Sequence, residues 1–249
     1  MNLALAAAAA APGLAVGSFL NVVASRVPLR RPIGLERSAC MSCDTPIAAR
    51  DNLPLLSYAL LRGRCRSCGA SIPVRYPIVE GVTALLIVAC VLTFGVTPEA
   101  VVSSFFCAVL VAISAIDVEH RIVPNRIVIP AFVAVLAAQT ALGPSVEWLL
   151  GALGGSAFLF VAALVYPKGM GMGDVKLALL LGAMLGRHVA VALMLGMLFA
   201  LVPAAVLAVR HGAGARKMAI PFAPFLALGA VVALFAGEPI LGWYLGLLG

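Results

Sequence analysis

The chain has 249 residues, of which 63% are hydrophobic and only 11% charged, and its formal net charge is +7. A chain of this length cannot hide that much apolar surface in one water-facing core, so a soluble globular domain is excluded and lipid must be the solvent. The positive balance alone would suit nucleic acid, but its placement beside apolar runs is explained by membrane topology, and no nucleic-acid partner is expected.

A hydrocarbon layer about 30 Å thick needs roughly 20 apolar residues per helix. Such a run covers residues 3–23, with no basic residue before Arg26. It lacks the charged flank of a cleaved secretory signal and is expected to stay as a membrane anchor.

Residues 24–77 form a polar insert. Its prolines at 28, 32, 46, 54, 73 and 77, with little helical periodicity between them, predict a loop-rich module too poor in apolar residues to fold by burial alone. Nine of the seventeen basic residues lie between Arg26 and Arg75. Short loops rich in Lys and Arg stay on the cytoplasmic side, which places this insert in the cytosol and the N-terminus outside. Alternating passes then put Arg121, Arg126, Lys168, Arg210, Arg216 and Lys217 inside and Arg187 outside.

The insert carries Cys40-Met-Ser-Cys43 and Cys65-Arg-Ser-Cys68-Gly69, two C-x-x-C knuckles separated by 21 residues. Each pair can turn both thiolates toward one tetrahedral ion, the pattern of structural zinc. Two disulfides or four idle thiols are the alternatives, but a cytosolic loop is reducing and the nearby arginines favour thiolates. Four protein ligands leave no open position, so the metal would be structural. Cys90 and Cys107 lie in apolar runs and are expected to be small core residues.

Residues 78–249 are expected to form the membrane core. Further runs cover 78–97, 100–116, 127–142, 148–166, 175–186, 188–209 and 220–236, giving about eight passes with seven or nine as alternatives. The run after Asp174 is short, and the tail from Pro239 to Leu248 can prolong the last one. The fold class is therefore an all-α polytopic membrane protein of about eight helices with a small cytosolic zinc-binding insert.

An acid at a membrane helix end is costly and so informative. Of the ten acids, Glu36, Asp44 and Asp51 belong to the insert, and Glu99, Glu147 and Glu238 sit in outer loops. Glu119, two positions from Asp117, points elsewhere on a helix and reads as an interfacial charge. Glu80 lies a few residues into the second run and can pair with Arg75. Asp117 ends the third run, and Asp174 begins the sixth after glycines at 169, 171 and 173. Glycines there permit irregular backbone and close approach, tolerated at membrane depth only beside protein or a watery cavity.

Two carboxylates facing one water can perform aspartic proteolysis: repulsion keeps one protonated to polarise the carbonyl while its ionised partner activates the water. Read singly, each is equally well a helix-end residue, with Asp174 a first-turn charge complementing the dipole. His120, His188 and His211 form no H-E-x-x-H motif, and no Walker-type glycine loop appears. A proton-coupled transporter using the same aspartates would show repeated halves, which the chain lacks. A non-catalytic assembly protein of a secretion system would tolerate Asp117→Asn and Asp174→Asn.

Several strings together resemble the bacterial type IV prepilin peptidases. They are Gly17-Ser18-Phe19-Leu20-Asn21-Val22-Val23, both knuckles with Asp51-Asn52-Leu53-Pro54-Leu55-Leu56-Ser57-Tyr58 between them, and Arg75-Tyr76-Pro77-Ile78-Val79-Glu80. The similarity continues through Asp117, Pro124-Asn125, the G-x-G-D-V-K-L run at 171–177 and Pro221-Phe222-Ala223-Pro224-Phe225. G-x-G-D alone is shared with presenilin-type proteases, the lesser alternative, but the four-cysteine module is specific to the bacterial family.

The resemblance implies cleavage of a basic leader after a glycine, at the cytosolic face of the inner membrane. Its substrates would be precursors of type IV pilins or type II secretion pseudopilins. Asp117 and Asp174 would be the catalytic pair, with Gly171 and Gly173 in the supporting loop. It further implies methylation of the new N-terminus by S-adenosylmethionine, in which Glu80 has either a methyltransferase or a structural role.

Overall fold

The computed structural model describes residues 2–34, 38–166, 170–212 and 220–247; the expectations for Glu36, Lys168, Gly169, Arg216 and Lys217 lie outside the described residues. The chain is an all-α polytopic membrane protein. Lipid offers backbone amides no partner, so each apolar segment satisfies them internally as a helix. The helices are α1 (Asn2–Arg26), α2 (Leu56–Leu60), α3 (Arg75–Phe94), α4 (Pro98–His120) and α5 (Asn125–Leu142), followed by α6 (Glu147–Val165), α7 (Met172–Leu185), α8 (Val189–His211) and α9 (Ala223–Gly246). Among the described residues seven segments are long and apolar enough to cross a bilayer. The sixth, Met172–His211, is 40 residues long and breaks at Gly186–His188 into α7 and α8. The expected count is about eight passes with seven as an alternative. Seven spans are found among the described residues, with α7 and α8 as two helices of one of them, and α9 runs through Pro239 to absorb the apolar tail.

The chain divides into two compact units, Met1–Ile116 and Asp117–Gly249. In the first, α1 lies along α3 through small residues. A Cβ added at Gly13 would sit 2.8 Å from the Ala84 Cα, and one at Gly17 would sit 2.6 Å from the Glu80 Cα. This four-residue glycine spacing lets two backbones meet where lipid supplies no hydrophobic drive.

The insert lies in the same unit and has no apolar core. Among its described residues from 27 to 74, only Ser57 and Gly63 are buried. Order comes from polar links instead: the Ser57 hydroxyl accepts from the Leu53 amide (3.1 Å) and donates to the Arg50 carbonyl (3.0 Å). Arg66 grips Asp51 with two nitrogens, at 2.7 and 2.9 Å. That guanidinium holds the Asp51 carboxyl below the usual carboxylate range.

In the second unit α7 is the hub, packed against α5 and α6 and touched by α8 and α9. It has 14 residues, about 21 Å at 1.5 Å per residue, and its sequence from Asp174 to Leu185 is buried apart from Lys176 and Leu179. Backbones again meet at glycines: a Cβ at Gly151 of α6 would lie 2.6 Å from the Gly186 carbonyl oxygen, and Gly182 of α7 rests directly on the Gly151 backbone. Gly196 of α8 and Gly229 of α9 make the equivalent approach. Gln139 of α5 donates to the Met184 carbonyl (3.1 Å), occupying one of the acceptors that the end of α7 would leave open.

Gly182→Val is therefore expected to lower thermal stability in detergent by about 1–3 kcal/mol or more, because the added side chain meets backbone that cannot yield. Gly154→Val on α6, where a Cβ meets nothing within 4 Å, is the control expected to be neutral. Equal melting temperatures for the two variants would contradict this packing.

Candidate active site

α4 continues one turn beyond its apolar run, so Asp117 lies in its last turn and is only 6% exposed. The helix ends at Arg121, whose amide donates to the Asp117 carbonyl (2.9 Å) and whose φ is 54°. The chain then passes Val123 and Pro124 into α5. Gly173 lies under this link, for a Cβ there would stand 2.8 Å from the Val123 Cβ. Lys176 adds a hydrogen bond to the Asn125 carboxamide oxygen at 3.0 Å. The start of α7 is thus pinned against the exit from α4.

Asp174 is the third residue of α7, 9% exposed, and its amide donates to the Gly171 carbonyl (3.1 Å). A Cβ on Gly171 would stand 3.4 Å from Asp174 Oδ2, so the glycine keeps the approach to the carboxylate narrow but open. Asp174 and Asp117 lie within electrostatic reach of one another. Two buried acids from different helices are thereby brought together, while Glu119 stays on the surface beside His120.

A contact absent from the sequence reasoning completes the site. The Ala223 amide, at the start of α9, donates to Asp117 Oδ2 at 3.1 Å. Its signal was the Pro-Phe-Ala-Pro string, whose two prolines cannot donate.

At the far end of α7, Gly186 turns with φ 54°. Glu147 accepts the Arg187 amide (3.0 Å), and Glu238 pairs with Arg187 (2.6 Å) and His188 (2.9 Å). Acids expected only to decorate outer loops thus fasten the turn between α7 and α8.

In the first unit the four cysteines converge: Sγ atoms of Cys40, Cys43, Cys65 and Cys68 all lie within 4.8 Å of one another, and Cys40 and Cys68 are 3.8 Å apart. A tetrahedron with Zn–S bonds of about 2.3 Å has edges of about 3.8 Å, so the donor set fits zinc. The two knuckles repeat one geometry. In each, the first cysteine's amide and carbonyl bond across the turn, and the residue after the second cysteine, Asp44 or Gly69, takes a positive φ of 52° or 73°. Hydrogen bonds from Thr45 pull the Cys43 thiol down to about 6. The Cys68 and Ser67 amides lower Cys65. At Cys68 the Ala70 amide favours the thiolate, yet the neighbouring sulfurs win and hold it up to about 11. Four sulfurs this close cannot all ionise without a cation among them.

Glu80 is buried on α3 and joins the insert to the helices. Its carboxylate accepts the Leu55 amide at 2.8 Å and the Ser18 hydroxyl of α1. Leu55 has a φ of 58°, a strained value for a non-glycine residue. Next to Glu80, Asn21 donates to the Tyr76 carbonyl (3.1 Å), and Arg75 stacks over the Tyr76 ring. Cys90 and Cys107 are fully buried, as expected of core residues.

Comparison with known proteins identifies the family. The bacterial peptidase A24 N-terminal domain matches residues 12–94, and the type IV leader peptidase family matches residues 104–209. A protein of Bacillus subtilis named prepilin leader peptidase/N-methyltransferase is 35% identical over 94% of this chain and 95% of its own length. Proteins of the same name from Aeromonas hydrophila (34% identity; 93% of this chain, 91% of the relative) and Myxococcus xanthus (42%; 70% and 54%) are also similar. No solved structure gives a significant match.

Proposed function

Because the chain belongs to the type IV leader peptidase family, we propose that it is a membrane aspartic endopeptidase that removes the basic leader of type IV prepilins or type II secretion pseudopilins. In this reading Asp117 and Asp174 are the catalytic pair and Gly171 and Gly173 shape their loop. The observation that carries it is the meeting of two buried carboxylates from α4 and α7.

Such a pair shares one proton. The ionised carboxylate takes a proton from a water, and the resulting hydroxide adds to the scissile glycyl carbonyl. The protonated partner donates to the carbonyl oxygen as it gains charge. When the tetrahedral intermediate collapses, the C–N bond breaks and the leaving amine takes a proton from the pair. The leader departs with a C-terminal carboxylate, and the helix keeps a free N-terminal amine.

A prepilin is a hydrophobic helix behind a positive leader, so its scissile bond lies at the cytosolic boundary. The basic insert supports a cytosolic face for the site in the inner membrane, where its arginines meet anionic headgroups. Residues 24–77 would act as a module on this face, with 78–249 as the peptidase core. In the module Cys40, Cys43, Cys65 and Cys68 would hold a structural zinc.

The new amine is then methylated, as the relatives' names include N-methyltransferase. S-adenosylmethionine, when bound, would supply the methyl group for that reaction. Among the described residues no donor cluster marks where it binds. Glu80 would serve by fastening the insert to α1 and α3.

The test is mass spectrometry of the N-terminus of a co-expressed prepilin. Removal of the leader with a gain of about 14 Da for one methyl group supports both activities, and an intact leader refutes the peptidase reading.

A further inference from the structure

A helix starts with amides that have no acceptor within it. At α9 these belong to the Pro221–Phe225 string. Pro221 and Pro224 have no N–H to offer, and the Phe225 amide returns to the Phe222 carbonyl at 3.1 Å. The amides of Phe222 and Ala223 remain: Ala223 spends its own on Asp117 Oδ2 at 3.1 Å, and the Phe222 amide lies beside it at the same carboxylate. Ala223 is fully buried, so water does not compete for its N–H.

Among the described residues, the backbone of Gly171 is the donor that serves the Asp174 carboxylate. Arg121, at the end of α4, acts on Asp117, whereas the Lys176 ammonium on α7 is bonded to Asn125. Hydrogen bonds to an ionised acceptor are roughly twice as strong as neutral ones, and the positive end of α9 adds to them.

We propose that the Phe222 and Ala223 amides hold Asp117 as the ionised, water-activating member of the pair, leaving Asp174 to carry the shared proton. The α9 start is then a positioning element acting through Asp117, and the inference rests on the dyad reading above.

Its test replaces one N–H by an ester oxygen, and the same exchange elsewhere in α9 controls for the weaker ester carbonyl. Full-length protein is made by cell-free synthesis into nanodiscs, with lactic acid replacing Ala223 through a chemically acylated suppressor tRNA, and kcat/KM for prepilin cleavage is followed against pH. The expected result is that the acidic limb moves up by about one pH unit while the rate above it stays within about threefold. Losing a donor to the anion means that less of it survives at low pH. Lactic acid at Ala230, deeper in α9, also removes a helix amide and is expected to leave the limb in place.

An unmoved acidic limb, an equal shift from position 230, or a shift of the basic limb alone would each overturn the assignment. The parent reading fails differently: either Asp→Asn variant would still cleave. If both are inactive but the ester leaves the limb unmoved, only the role of α9 is lost.

Discussion

Asp117→Asn and Asp174→Asn are each expected to reduce leader cleavage by about 10³- to 10⁴-fold, with the protein still accumulating in the membrane. Asparagine keeps the shape of the side chain and, at 117, an oxygen to accept the Ala223 amide. It cannot take a proton from water or return one to the leaving amine, and proton transfer by a placed group is worth about 10²–10⁴ in rate. Asparagine is close in size to aspartic acid and adds no charge to the desolvated site, so neither change should disturb the fold. Loss of activity without loss of protein therefore separates chemistry from damage. Prepilin processing by mass spectrometry, normalised to immunoblotted enzyme, measures both; cleavage within tenfold of wild type by either variant would sink the dyad.

Removing the metal should have the second-largest effect, and a selective one. Purified protein is expected to hold one zinc per chain, and the double variant Cys40→Ser/Cys43→Ser none. A four-cysteine site contributes about 10–16 kcal/mol of apparent binding energy, more than most whole domains retain as net stability. Here little else can replace it, since Ser57 and Gly63 are the buried residues among those described between 27 and 74. Trypsin should then cut the metal-free insert at Arg50, Arg62, Arg64 or Arg66. Both aspartates fall in the compact unit Asp117–Gly249, so leader cleavage should persist within about tenfold. An insert that stays protease-resistant without metal would show that the sulfurs are not its staple.

The helices were legible because membrane spans are written in composition: twenty apolar residues leave few alternatives. The four cysteines were legible because spacing alone restricts where two thiolates can point. The position of Asp174 followed from its glycines, but its meeting with Asp117 depends on the Val123–Gly173 packing and the Lys176–Asn125 bond, which join segments some 50 residues apart. The role of Ala223 was hidden for a different reason. A backbone amide is carried by nearly every residue, and only the fold shows which one has been left free to donate. Glu147 and Glu238 were set aside as inexpensive surface acids, although they fasten Arg187 and His188 at the turn after α7.

The shortness of α7 has a physiological corollary. A span in contact with lipid answers to bilayer thickness by tilting, or by thinning its surroundings, at a cost of fractions of a kcal/mol per Å of mismatch. At about 21 Å, α7 would pay such a cost in any ordinary bilayer if lipid could reach it. It is surrounded by protein instead, and its depth is set by glycine contacts to α6 and by Gln139 at its end. The helix bearing Asp174 is thereby insulated from changes in acyl-chain length, such as those a bacterium makes on cooling or entering stationary phase.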